Sequence, residues 1–156
     1  MAGTARQNLL RNWQSGRLWW NDPDAVVLTG DLGEDEFLFH ATAIYATGGM
    51  LLSGDDLTAI PPARLALLRK LSPPTGVPAR FADASFRLGE IERRDGRSFC
   101  LLNWTDAPEA ISFRLAAPHR IRDLWTGDDL GRQPAGVVTR LVPARSGRVL
   151  AGTREG

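Results

Sequence analysis

Twice in its first half this chain runs apolar and then empties into carboxylates. Arg17-Leu18-Trp19-Trp20 leads to Asn21-Asp22-Pro23-Asp24, and Met50-Leu51-Leu52 leads through Ser53-Gly54 to Asp55-Asp56. Between the two, Phe37, Ala41, Ile44 and Tyr45 recur at helical spacing, behind Glu34-Asp35-Glu36 and ahead of Gly48-Gly49. Acids suit the positive end of a helix and paired glycines its stop. A short strand that is apolar throughout is buried on both faces, as in a parallel sheet covered by helices. Strand, helix, strand, with acids at the strand ends, is the grammar of a (β/α) unit, whose chemistry sits where the strands finish. A helix from about Ala2 to Trp13 precedes the first strand, with Ala5, Leu9 and Trp13 expected on one buried face. Pro61-Pro62 opens another, with Leu65, Leu68 and Leu71 expected inward.

Ser72-Pro73-Pro74-Thr75-Gly76 reads as a linker, and beyond it the period changes. Ile111, Phe113 and Leu115 alternate with Ser112 and Arg114, and Val137, Thr139 and Leu141 alternate with Val138 and Arg140. Turn signals recur at Asp95-Gly96, Asp106-Ala107-Pro108, Gly127-Asp128 and Ser146-Gly147. Short strands at this spacing predict an all-β sandwich. The chain therefore divides into an α/β part, residues 1–75, and an all-β part, residues 76–156.

Composition excludes several classes. Net charge is +1 with no basic stripe interleaved with aromatics, so nucleic acid is not an expected partner. No apolar run approaches the roughly 18 residues of a membrane span, so no membrane partner is expected. The single cysteine, Cys100, makes no intrachain disulfide and reads as a small buried hydrophobe. His40 and His119 have no second ligand at metal spacing, and no GxSxG, GxGxxG or P-loop is present. Neither a metal nor a cofactor is expected.

The acids at the strand ends admit two readings. Asp22 and Asp24 are two apart and share a side if the backbone stays extended, with Pro23 stiffening the corner. They then either cap the following loop or face a ligand. Of the five tryptophans, all are expected in the core, with the indole N–H of Trp104 and Trp125 satisfied there.

Three blocks carry a family resemblance: Gly16–Asp24 (GRLWWNDPD), Gly48–Leu57 (GGMLLSGDDL) and Ile60–Leu65 (IPPARL). In order and spacing they resemble the end of the catalytic barrel of α-galactosidases (melibiases). The strings Asn103–Asp106 (NWTD) and Asp123–Gly127 (DLWTG) are similar to the β-sandwich that follows such barrels. The resemblance implies the last two (β/α) units of a TIM barrel, incomplete here, plus a C-terminal antiparallel β-sandwich. It implies that Asp24 holds sugar hydroxyls, that Ala25 lines the pocket where the family often has a larger apolar residue, and that Asp22 is a strut at the edge of the substrate site. Asp55 and Asp56 are expected to shape the next loop.

The same resemblance implies a retaining glycosidase of terminal α-galactosides, whose nucleophile and acid/base are aspartates on earlier strands. Met1–Trp20 contains no Asp or Glu. The expectation is therefore a C-terminal portion without its catalytic carboxylates, inactive alone. The alternative is a non-catalytic carbohydrate-binding or scaffold protein with the sandwich as its working part.

Overall fold

The computed structural model describes residues 2–154. Helix α1 spans Ala2–Leu10 and buries Ala5 and Leu9. It does not reach Trp13: Asn12–Gln14 form a 3₁₀ turn. Its tighter winding puts Asn12 inside and leaves Trp13 59% exposed, against the expectation of a core position. The Arg17–Trp20 strand is likewise absent. Gly16 N–H donates to the Trp19 carbonyl, and the Arg17 and Leu18 N–H groups both donate to Gln14 O. With no strand alongside to take these groups, the segment satisfies its backbone by turning on itself. Leu18, Trp19 and Trp20 are consequently exposed, so the core assignment of both tryptophans is corrected.

What survives of the first (β/α) grammar is a pair of extended, parallel segments. The Met50 N–H donates to Asn21 O and the Val26 N–H to Leu52 O, both at 2.8 Å, with Ala25 bridged to Leu52. Each segment is followed by a helix: α2, Glu34–Thr47, and α3, Pro62–Leu71. Every α2 residue from Phe37 to Thr47 except His40 is buried. A glycine pair ends it of necessity. Gly48 sits at φ 63°, and a Cβ there would lie 2.3 Å from the Val77 carbonyl; one on Gly49 would lie 2.1 Å from Asn21 O. On α3 the inward stripe is Leu67 and Leu71, one turn apart, with Leu68 half-buried and Leu65 exposed, contrary to expectation.

Among the described residues the second half forms eight strands: β1 (Arg80–Phe81), β2 (Leu88–Arg93), β3 (Gly96–Leu102), β4 (Glu109–Leu115), β5 (His119–Asp123), β6 (Asp129–Gln133), β7 (Gly136–Val142) and β8 (Gly147–Arg154). Six make one antiparallel sheet in the order β1-β2-β3-β8-β5-β6, and β4 pairs with β7 in a second. The register Phe99↔Leu150 and Cys100↔Val149 sets the two faces of the large sheet. Phe99, Leu101, Ile121 and Leu150 meet Ile111, Phe113, Leu115, Val138 and Val142 of the small sheet. Cys100, Leu102 and Val149 face the other way, into a cluster with α2. On β4 the buried set is the expected one. On β7 the inward residues are Val138 and Val142, while Val137 and Leu141 face solvent.

The helices, the large sheet and the small sheet are thus three layers with a core on each side of the middle one. Trp125 locks the first interface: its indole N–H donates to Thr42 Oγ1 at 2.8 Å, and its ring meets Tyr45 edge-on at 5.8 Å. Trp104 packs at the same helix–sheet interface, donating to Phe86 O at 3.0 Å and meeting Phe39 of α2 at 4.8 Å. Both indole N–H groups are satisfied, as expected; Trp125 is buried, and Trp104 is half-buried against the same cluster. Asn103 joins the sheets, its amide nitrogen 3.0 Å from Val142 O and 2.9 Å from Pro143 O.

Two positions make this arrangement testable. A Cβ at Gly147 would lie 2.5 Å from Thr42 Oγ1 and 2.9 Å from Leu38 O, so β8 touches the α2 backbone there. Gly147→Ala is expected to destabilise by roughly 1–3 kcal/mol, read as a lower urea midpoint; an unchanged midpoint would mean that α2 does not bear on β8. Asp55 ties the two parallel segments, accepting from Leu28 N (3.0 Å), Thr29 N (2.8 Å), Thr29 Oγ1 (2.6 Å) and Ser53 Oγ (2.7 Å). Burial pushes its carboxyl up, but these hydrogen bonds together outweigh burial and hold it at about 2. A carboxyl held low in the folded state stabilises above its ordinary pKa, and that contribution is lost as pH falls toward the folded value. Asp55→Asn should lower the thermal midpoint at pH 7, and the gap from the parent should close as pH drops from 3.8 toward 2. A pH-independent gap would assign the loss to packing instead.

Candidate functional site

The corner Asp22-Pro23-Asp24 lies where the first extended segment begins. Asp22 Oδ1 accepts the Asp24 N–H at 2.9 Å across Pro23, an Asx turn. Asp24 sits at φ 72°. For a residue other than glycine this left-handed geometry costs about 1–2 kcal/mol, and aspartate tolerates it through local hydrogen bonding. Here Asp24 Oδ1 accepts the Ala25 N–H at 2.8 Å. The extended geometry on which a same-side Asp22/Asp24 pair depends is broken at Asp24. From outside, Asn8 of α1 donates to Pro23 O at 2.8 Å and fixes the corner to the first helix.

Trp19, Trp20, Asn21, Asp22 and Pro23, with Asn8, Arg11 and Thr47, line a groove of about 360 Å³. Trp19 and Trp20 are 54% and 62% exposed, so indole surface is open beside it. Asp22 belongs to the groove wall. Asp24 stands outside that wall, its carboxylate exposed at the next residue but one. Ala25 is half-buried against Leu52, and its carbonyl lies 3.0 Å from His40 Nε2. A carbonyl only accepts, so Nε2 carries the proton of that bond. Burial holds the His40 pKa below its ordinary value, against the opposing effect of the Ala25 bond, which leaves the ring neutral at pH 7.

The acids of the second segment are committed to loops. Asp55 is the four-donor strut described above. Asp56 accepts the Thr58 N–H at 2.9 Å and Thr58 Oγ1 at 2.7 Å, and these bonds hold its carboxyl below the usual range. Both therefore shape the loop between Leu52 and α3. Among the described residues no group of three or more His, Cys, Asp or Glu could hold a metal ion. The arrangement offers two exposed carboxylates on a strained corner, next to exposed indoles: hydroxyl acceptors beside flat apolar faces.

Sequence reasoning singled out Asp22, Asp24 and Ala25 as candidates but did not name the residues that hold them. Asn8 carries no local signal. His40 does: it falls at i+3 from Phe37 and i−4 from Ile44, on the apolar stripe of α2, where a polar side chain needs a partner. Arg64 was missed as well; it donates to the Leu28 and Leu32 carbonyls and lies 4.6 Å over the Phe37 ring, fastening α3 to the loop before α2.

Compared by sequence, the chain matches no family profile and no curated protein. By structure it is similar to α-galactosidase I from Mortierella vinacea, at 19% identity and TM-score 0.78, over 95% of this chain and 44% of that one. It is also similar to a GH27 β-L-arabinopyranosidase from Geobacillus stearothermophilus, solved with arabinose, at 16% identity and TM-score 0.80, over 99% and 42%. A third is the α-galactosidase from Saccharomyces cerevisiae solved with raffinose, at 15% and 0.73, over 96% and 51%. The chain spans about half the length of these solved proteins or less, and it corresponds to their C-terminal portion. What it shares with these GH27 enzymes, at such identities, is the fold of that portion.

Proposed function

We propose that this chain is the C-terminal part of a retaining glycoside hydrolase of the α-galactosidase type. In this reading residues 1–75 contribute the last two (β/α) units of a TIM barrel, and residues 76–156 are the sandwich that braces them through α2. The observation that carries it is Asp24. A strained aspartate with an exposed carboxylate sits near the start of the first of two parallel segments, at the position the resemblance assigns to sugar hydroxyls. Strain at a non-glycine residue points toward function when the surroundings hold it in place, and Asn8, Asp22 and His40 do so here.

The sugar is a terminal α-galactoside, with its hydroxyls on Asp24, Ala25 as the pocket wall and Asp22 setting the corner. Retention requires two carboxyl groups about 5–5.5 Å apart, one of them a nucleophile. Asp55 and Asp56 are held by loop hydrogen bonds, and the resemblance assigns both catalytic carboxylates to aspartates on earlier strands. The competing reading, a sugar-binding sandwich, gains no support from its tryptophans: Trp125 is buried, Trp104 is packed against the same cluster, and both indole N–H groups are taken up inside the protein.

The purified chain is expected to leave an aryl α-galactoside unhydrolysed. Turnover that Asp24→Asn abolishes would overturn the assignment of catalysis to other residues. Galactose binding, followed by chemical-shift perturbation, should weaken about tenfold or more in Asp24→Ala, because charge-assisted hydrogen bonds contribute about 1.5–3 kcal/mol each. Equal affinity in the two proteins would leave Asp24 a purely structural residue.

A further inference from the structure

At the end of β3 opposite Asn103, the β2–β3 turn, the end of β4, the start of β5 and the end of β8 converge. Gly96 pairs with Thr153, His119 pairs with Arg154, and the Arg154 N–H donates to Asp95 O. These elements enclose a groove of about 440 Å³, within the size range of small-molecule sites. Its lining includes five arginines, Arg93, Arg94, Arg97, Arg114 and Arg154, against two acids, Glu92 and Asp95. The chain as a whole carries only +1, so this excess is local.

Not all five guanidiniums are available. Arg97 is paired with Glu90 and Glu92, and Arg93 lies 3.8 Å from Asp95. Arg94, Arg114 and Arg154 are exposed and, among the described residues, have no carboxylate partner. Three separate strands or turns therefore bring three unneutralised guanidiniums to one concave surface, where like charges repel. An anion in the groove removes that repulsion, and a guanidinium offers paired N–H donors that match a tetrahedral oxyanion. Phe99 and Leu115, both buried, supply apolar surface to the same groove.

We propose that this groove binds a tetrahedral oxyanion, the phosphate or sulfate group of a small ester, through Arg94, Arg114 and Arg154. The site is independent of the sugar corner: no residue is common to the two grooves, and the anion reading stands whether or not Asp24 binds galactose.

Isothermal titration of the full chain at fixed low ionic strength, with pyrophosphate, glucose 6-phosphate and glucose 6-sulfate, tests this. Saturable binding is expected for at least one probe, and the tighter of the two sugar esters identifies the source of the anion. Arg114→Ala/Arg154→Ala should weaken it at least roughly tenfold, and Arg94→Gln alone severalfold. Arg69→Ala, on the exposed side of α3, should leave it unchanged. All three arginines are exposed, so each variant is expected to keep the parent's thermal midpoint. Absence of saturable binding by every probe, or affinity equal to the parent in both arginine variants, would overturn the proposal.

Discussion

Helix α2 is the constraint on which the rest of this molecule depends. From Phe37 to Thr47 it is buried almost all round, which a helix tolerates only when packed on opposite sides. One side receives the extended segments that carry Asp24 and Asp55. The other receives the large sheet, where Trp125 reaches Thr42 and Gly147 meets the helix backbone. The candidate sugar corner and the sandwich are therefore coupled through one helix. His40, the one partly exposed position in that run, is also the one that reaches the Ala25 carbonyl.

The β half was legible in the sequence because its outer layer has one wet face. Ile111, Phe113 and Leu115 alternate cleanly with Ser112 and Arg114 since β4 has core on one side and solvent on the other. On β7 the period was readable but its phase was not. Val137, Val138, Leu141 and Val142 put apolar residues on both faces, so the pattern alone could not choose which face turned in. The two-sided burial expected for Arg17–Trp20 is found instead on β3, where every residue from Ser98 to Leu102 is buried. An unbroken apolar run marks a strand between two layers, but it does not say which run will find those layers.

The candidate corner was legible at its acids and much less so at its supports. Carboxylates after an apolar run stand out at the scale of a few residues, and so does a proline between them. The hydrogen bonds that fix the corner come from Asn8 and His40, each 15 residues distant from its partner, and only His40, a polar residue on the apolar stripe of α2, carries a local signal. The exposed indoles were misread for a related reason. Burial of Trp19 and Trp20 required strands on both sides, and the segment satisfies its own backbone by a turn.

Cys100 gives the helix–sheet interface a chemical clock. It lies on the α2-facing side of β3, wholly enclosed, opposite Val149, and burial pushes its thiol pKa up. Thiolate is the form that reacts, so an alkylating reagent meets a sulfur that is both shielded and protonated. Modification has to wait until the helical layer lifts from the sheet. Because that same separation would release Trp125 from Thr42, one slow covalent event at a single atom counts the openings of the interface that joins the two halves of the chain.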